Sequence, residues 1–561
     1  MAKITNPWVG YLDRSYKDIK LSLLNRIGKI APEMSDHSES NIMVIIIDAI
    51  AGVTETLNYY IDNVARESFI TTARRYSSVV RLSRLVDYQI KSNIAASVDI
   101  YVYLYGADGL SVQSDTTISI PLGTKFYDST GISFLSTRNE TIEIGQSSVI
   151  IPCKQVEIVT GSNLGKLRGV KDETLLLPED YSHDSLDITI EGQEWFKKET
   201  LAFSTSEDLH FIVEVSTEKR AYLKFGDNIR GQIPPGNFDV ISNYYITKGV
   251  QGNIDANLIK QSDFDFKVGN ITRVDITNTN SSSGGNGYET LENIKKSVPL
   301  SIRTLERAVT KQDYIDIGSL APGVLITDVD FKCGDFYISL YVYPINGGIT
   351  SQALLDSTLE YFDTRISFPM VLRAFPMGES KIIININVTG NPRKKAPVIR
   401  GQILAALGNK FGVPNKKISR NIRNSDIIAE VDNQESVDFL NLVNFFIVPF
   451  IKPVEHVNNI TPVSFIVSNH PTEDTKFTIK YDNLIDKFFL YSKGFIIDEL
   501  VKNQNYTHVN NLFSITLPTI SFVGEFFWEF TIYKKGDVTL IDYSVPIFDA
   551  VNSIINITEI N

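Results

Sequence analysis

Three glycines, a Pro-Pro pair, an aspartate and an arginine fall within the sixteen residues Tyr222–Asn237 (YLKFGDNIRGQIPPGN). Residues of these types could cradle a phosphate, ligate a metal ion, or only turn the chain. A nucleotide-binding glycine fingerprint has to follow a buried strand and open a helix, so that N–H groups point at the phosphate. Here Pro234-Pro235 blocks a helix and a strand pattern follows. A calcium loop needs several oxygen ligands at alternate positions. Asp227 and Asn228 are adjacent, and Arg230 would repel the ion. The reading that remains is a set of turns between strands.

The other chemical signals fall away in the same manner. Gly161–Leu167 (GSNLGKL) is one residue short of a phosphate loop, with Leu167 where a magnesium-binding hydroxyl belongs. The six histidines, His37, His183, His210, His456, His470 and His508, form no pair at metal-ligand spacing, and neither HExxH nor GxSxG occurs. Carboxylates are plentiful, but nothing marks two of them as a glycosidase pair. Cys153 and Cys333 are the only cysteines, too few for a disulfide framework or a zinc site, and read as buried thiols. The expectation is a protein without catalytic residues, metal or cofactor, and not an enzyme.

Composition sets the frame. A chain of 561 residues is too long for one core and predicts three or four domains. Its net charge of −12 and pI near 5.2 argue against nucleic acid as a partner, which needs a positive field. The start MAKITNPWVG has no apolar core of a signal peptide, and the apolar run Ile42–Ile47 is too short to span a bilayer. Cytoplasmic synthesis and no membrane partner are expected.

The periodicities predict a multidomain α+β protein. Residues 1–92 read as a bundle of two or three helices: Tyr16, Ile19, Leu23 and Ile27 mark the first, closed by Gly28 and Pro32. Ser38, Ser40 and Asn41 are cap candidates for a second, whose apolar residues run from Ile45 to Val64, and Val80 to Val86 mark a third. Residues 93–277 alternate with period two and predict a β-rich domain. Residues 278–288 (NTNSSSGGNGY) are a flexible linker by composition, with Gly284, Gly285 and Gly287 as the expected hinge. Residues 289–454 alternate helix and strand as an α+β domain, and 455–561 read as an aromatic-rich, sandwich-like β domain.

One charge run has two readings. Arg393, Lys394, Lys395, Arg400, Lys410, Lys416, Lys417, Arg420 and Arg423 occur without an intervening acidic residue. They form either a solvated helix face or a docking face for an acidic protein surface.

Three segments, in order, carry a resemblance. The first is Leu57–Arg74 (LNYYIDNVARESFITTAR), continuing to Tyr88. The second is Tyr222–Asn237, extended through Tyr244, Tyr245 and Lys248–Asn253 (KGVQGN). The third is Gly284-Gly285, Glu289, then Ser301–Tyr314 (SIRTLERAVTKQDY), ending in Pro322-Gly323-Val324. Together they resemble the baseplate J-like family, which includes the inner wedge protein of T-even-type contractile phage tails and similar proteins of contractile injection systems. The resemblance spans about residues 10 to 445 and does not reach the C-terminal region.

It implies a structural part of the baseplate, in the virion after assembly in the host cytoplasm. Implied partners are other copies of the chain, a second wedge protein joined through a helical bundle, and sheath-initiator and hub-proximal baseplate proteins. The ring so formed would hold the sheath extended and relay host contact. Tyr59, Tyr60, Glu67, Phe69 and Arg74 then become candidate interface residues, with Arg393, Lys394, Lys395, Lys416 and Lys417 as a second patch. Gly226, Gly231, Gly236, Gly249 and Gly252 would supply structural turns. Two other readings compete: a receptor-binding adhesin using the aromatic C-terminal domain, and a tail-associated polysaccharide hydrolase.

Overall fold

The computed structural model describes residues 15–32, 36–331, 337–366, 370–391, 393–411 and 421–448. Beyond these it describes 452–454, 464–468, 470–471, 473–482, 487–492, 495–501, 504–508, 512–516, 526–533, 538–539, 545–550 and 552–559. The architecture is multidomain α+β, helical at the N-terminus and rich in sheets thereafter.

Two helices open the described chain, α1 (Tyr16–Ile30) and α2 (Ile42–Glu67). Ser15 and Asp18 form a reciprocal capping box that starts α1, and the Asn41 side chain caps α2 by accepting from the Met43 amide. The pair is antiparallel: Tyr16 meets Glu55 while Lys20 meets Asp48. A third helix, α3 (Tyr76–Arg84), does not join them. Its Val79 and Val80 are buried in a separate core with Ile294, Val298, Leu320 and Val215. Of the expected bundle of two or three helices, two form a hairpin, and the apolar face of α3 is consumed by the body of the molecule.

The β-rich region has two large sheets, one inserted in the other, and a two-stranded one from Ile118–Ile120 and Glu140–Ile142. Ser97–Tyr105, Lys125–Asp128, Ser133–Ser136 and Ser148–Lys154 form a six-stranded sheet that is completed by Ile259–Ser262 and Arg273–Thr277. Between these halves the chain builds a seven-stranded sheet from Glu157 to Ile246 around Trp195, Phe211 and Phe225. The GSNLGKL segment lies in the first strand of that insertion, Glu157–Lys166, and opens no helix.

The segment expected to be a flexible linker is a packed seam. Ser283 bridges Ser97 and Asn286 bridges Ile94, so the segment is pinned along the first strand of the six-stranded sheet. Asn278, Ser282 and Ser283 are buried, and Asn278 bonds the amides of Leu258 and Ile259. Gly284 and Gly285 are buried and Gly287 is partly so. A Cβ on Gly285 would lie 2.5 Å from the Gly249 carbonyl oxygen. The expected hinge residues Gly284, Gly285 and Gly287 all donate their amides to bonds here, a context that composition, which reports the freedom of an isolated chain, does not carry.

Two further helices follow, α4 (Leu291–Thr304) and α5 (Lys311–Leu320). The next sheet has three strands, Val324–Phe331, Tyr337–Pro344 and Val371–Pro376, and shares a core with α5 and with α6 (Gln352–Asp363). The long strand Glu379–Gly390 then pairs with Val437–Val448 over a core completed by α7 (Ala396–Phe411) and α8 (Asn424–Asp432).

The C-terminal boundary also moves. Val545–Phe548 and Ile554–Glu559 both return to pair in parallel with Glu379–Gly390. The aromatic-rich part, a five-stranded and a three-stranded sheet around Phe477, Phe488, Phe513 and Phe530, is thus an insertion within the α+β domain.

Candidate assembly surface

The Tyr222–Asn237 turn is built from its own side chains. Asp227 Oδ1 accepts from the amides of Ile229 at 3.0 Å and Arg230 at 2.7 Å. Those bonds, the Arg230 amide first, hold the Asp227 carboxyl below its ordinary range. Asn228 takes a left-handed conformation, φ 69°, and its amide donates to the Gly231 carbonyl. Amides that would have to cradle a phosphate are thereby already bonded. Gly231 and Gly249 have positive φ, while Gly226, Gly236 and Gly252 are needed for close approach. A Cβ on Gly226 would sit 2.2 Å from the Gly231 carbonyl oxygen.

A neighbouring loop brings Ser204, Asp208 and His210 together. Ser204 Oγ lies 2.9 Å and Asp208 Oδ2 3.8 Å from His210, both at Nδ1. A nucleophile relay needs the hydroxyl and the carboxylate on opposite ring nitrogens. Both groups here compete for one nitrogen, so the trio cannot pass a proton from serine to carboxylate. Among the described residues no group of three His, Cys, Asp or Glu is placed to hold a metal ion. Cys153 is buried in the core of the six-stranded sheet, where burial pushes its thiol pKa well up; Cys333 lies outside the described residues.

The largest chemical anomaly is α2. One side of it faces α1: Val44, Ile47 and Ala51 are buried, as is Ile19 of α1. Asp48 accepts from Tyr16 Oη and pairs with Lys20, each at 2.8 Å, and the Lys20 contact leads in holding the Asp48 carboxyl below its ordinary range. Asp48, Glu55 and Asp62 recur at intervals of seven on this polar side.

On the other side Ile46, Ile50, Val53, Leu57, Tyr60 and Val64 alternate at intervals of four and three, and each is 50–68% exposed. Steps of four and three make a heptad seam, the spacing that keeps one apolar stripe facing a partner helix. Ile42, Ile45, Tyr59 and Ile61 flank it, all exposed. Ordinary soluble surfaces do not leave contiguous apolar stripes of this kind open to water. The expectation that the apolar run is too short for a bilayer also changes. It belongs to a helix of 26 residues that is long and apolar enough, by length and composition alone, to cross one.

The expected interface residues divide. Tyr59, Tyr60 and Phe69 are exposed at the end of the hairpin that leads into α3, the two tyrosines edge to face at 5.9 Å. Glu67 is turned inward, where its carboxylate accepts from the amides of Arg74 and Arg75 and fixes the turn after α2. Arg74 is exposed. In the basic run Arg393 and Lys395 are exposed and Lys394 is partly buried, while Lys416 and Lys417 lie outside the described residues. Lys410 pairs with Glu430 at 3.7 Å, which neutralises part of the run. Of the expected interface residues Tyr60 lies in the seam and Tyr59 beside it; Ile46, Ile50, Val53, Leu57 and Val64 extend it at a spacing present in the sequence.

Residues 15–85 match the family model described as bacteriophage baseplate protein, N-terminal domain. The match covers the whole hairpin and α3. No curated protein is matched. Among solved structures the chain is similar to one in the sixfold-symmetrised cryo-EM structure of the anti-feeding prophage baseplate. That similarity is 12% identity and a TM-score of 0.29, over 78% of this chain and 90% of the other. The assignment of the helical region to baseplate proteins rests on the N-terminal match.

Proposed function

We propose that this chain is a structural subunit of a contractile-tail baseplate, an inner-ring wedge component and not an enzyme, which assembles by packing the α2 seam against helices of a second wedge protein. The exposed heptad on α2 is the observation that carries this reading. A membrane-spanning α2 is the less economical account, because it would carry Asp48, Glu55 and Asp62 into hydrocarbon.

Energetics favour a bundle over a single helix pair. Completing the burial of six half-exposed side chains gains about 1 kcal/mol each, roughly half the value for full burial. The sum, on the order of 6 kcal/mol, only matches the roughly 4–15 kcal/mol that association costs. More than one partner helix, or several linked contacts in a ring, is needed for a stable assembly. Copies of the chain closing a ring through the α+β domain would supply them, with sheath-initiator and hub-proximal proteins as further neighbours.

The test is a double charge insertion, Val53→Glu with Leu57→Glu. Both positions are more than half exposed, so the unfolding free energy of the isolated chain stays within about 0.5 kcal/mol of wild type. In a complementation assay the variant chain is expected to be absent from purified particles. Normal incorporation and contraction would remove the seam from the assembly account.

A further inference from the structure

A groove of about 1100 Å³ runs between α4, α5 and the strand Val324–Phe331. Its lining includes five consecutive residues of that strand, Val324–Asp328. Successive side chains of a strand point to opposite faces. Five in a row cannot all point into one groove, so the edge of the strand lines it, with its row of backbone N–H and C=O groups.

The order of the sheet agrees. Val324–Phe331 is the outermost strand of its three-stranded sheet and pairs on its inner side with Tyr337–Pro344. The edge is not on an open surface, since Val324, Ile326, Thr327 and Asp328 are buried. Proteins blunt free edges with lysine, proline or a bulge. Residues 324–331 hold neither lysine nor proline, and the register shift against Tyr337–Pro344 falls at the start, between Val324 and Ile326. The size suits one more strand. Five added residues span about 16 Å, and with a strand spacing of about 4.8 Å and a layer depth of about 10 Å they fill on the order of 800 Å³.

Charge says which sequence fits. The carboxylates of the lining are answered from within the chain. Glu289 accepts from Tyr88 Oη at 2.9 Å and from Ser297 Oγ at 3.2 Å, Asp316 pairs with Arg303, and Asp328 pairs with Lys311 at 3.7 Å. Lys295 and Lys296 of α4 also line the groove and enter no ion pair among the described residues. Leu300 and Ile315 supply apolar wall beside them. A chain of net charge −12 thus keeps uncompensated cations beside a buried, unextended sheet edge.

We propose that this groove takes an extended segment of a partner protein, in which apolar residues alternate with carboxylates, as an added strand on the Val324–Asp328 edge. Backbone bonds set its register, its apolar side chains meet Leu300 and Ile315, and its carboxylates meet Lys295 and Lys296. The site is separate from the α2 seam, and either can fail without the other.

The probe is a blocked, fluorescein-labelled heptapeptide of alternating valine and glutamate, added to the full chain. Its anisotropy should saturate, and hydrogen exchange should slow at Val324–Asp328. The valine–lysine counterpart should bind more weakly by about tenfold or more. Lys295→Glu with Lys296→Glu changes partly and fully exposed positions of α4 and should invert the order of the two peptides. Amides of alternate residues point to opposite edges of a strand, so N-methylation of either the valines or the glutamates, but not both sets alike, should abolish binding. Equal effects of the two methylations overturn strand addition. An unchanged peptide order in the lysine variant overturns the charge selection. Absence of binding, or protection that falls outside residues 324–328, overturns the site.

Discussion

At the scale of single residues, the turn glycines and a partly buried histidine make opposite kinds of demand. Gly226 is pressed against the Gly231 carbonyl, so Gly226→Ala should cost about 1–3 kcal/mol or more, as a lowered denaturation midpoint. His183 is neutral for a different reason. It is partly buried, Lys197 lies nearby, and its Nδ1 accepts from the Ser92 amide at 3.3 Å; desolvation first and the lysine second hold its pKa down to about 3. The folded value lies below the unfolded one, so this stability is complete above about pH 6.5 and is lost as pH falls toward 3. His183→Asn keeps an acceptor without the titration. Its stability should fall less steeply than wild type across that window, in urea titrations at stepped pH; equal slopes would assign the acid sensitivity to other groups.

Elements show why some of this was legible and some was not. The Thr310-Lys-Gln-Asp313 run announces a helix start, and the structure has the full reciprocal cap there. Thr310→Ala should cost about 1 kcal/mol, read by chemical denaturation. The linker failed as a sequence inference because Ser, Asn and Gly favour freedom only where nothing bonds them. Ser283 and Asn286 find partners near Ser97 and Ile94, far away in sequence. The sign of one substitution separates the two pictures. In a flexible linker Gly285→Ala would stabilise by about 0.4–1 kcal/mol through the unfolded chain. In the packed seam its Cβ meets the Gly249 carbonyl and Ala96, so a loss of stability is expected. Helix α3 teaches a related lesson. Its periodicity was plain, but periodicity gives an apolar face without saying which core receives it.

The whole molecule separates what it buries from what it leaves for others. The described strands and helices from residue 97 to residue 448 build several apolar cores of their own, while α2 keeps a complete seam in solvent. The four-three spacing was readable from Ile46 to Val64, but helical periodicity alone does not tell an outward stripe from an inward one. Only the location of α1 and of Asp48, Glu55 and Asp62 decides it. If the seam packs as proposed, mixing the isolated chain with amphipathic helix peptides from candidate baseplate partners should, for the true partner, protect the amides and tyrosines of α2 and leave the β domains unchanged. Protection spread over the β domains with none on α2 would move the interface elsewhere.

The returning strands Val545–Phe548 have a consequence for how such a chain can change over time. Val448, where the sheet is left, and Ile547, where it is rejoined, both stand opposite Lys381 on the two flanks of one strand. Their separation is two strand spacings, about 10 Å. A module seated between ends so close can be enlarged or exchanged at two neighbouring points while the sheet that receives it keeps its register, provided Tyr533, which sits in the core of the receiving domain, and Val538–Thr539, which pair with Asn421–Ile422, are retained. What the module presents outward can then diversify on its own, independently of the parts that must fit their neighbours.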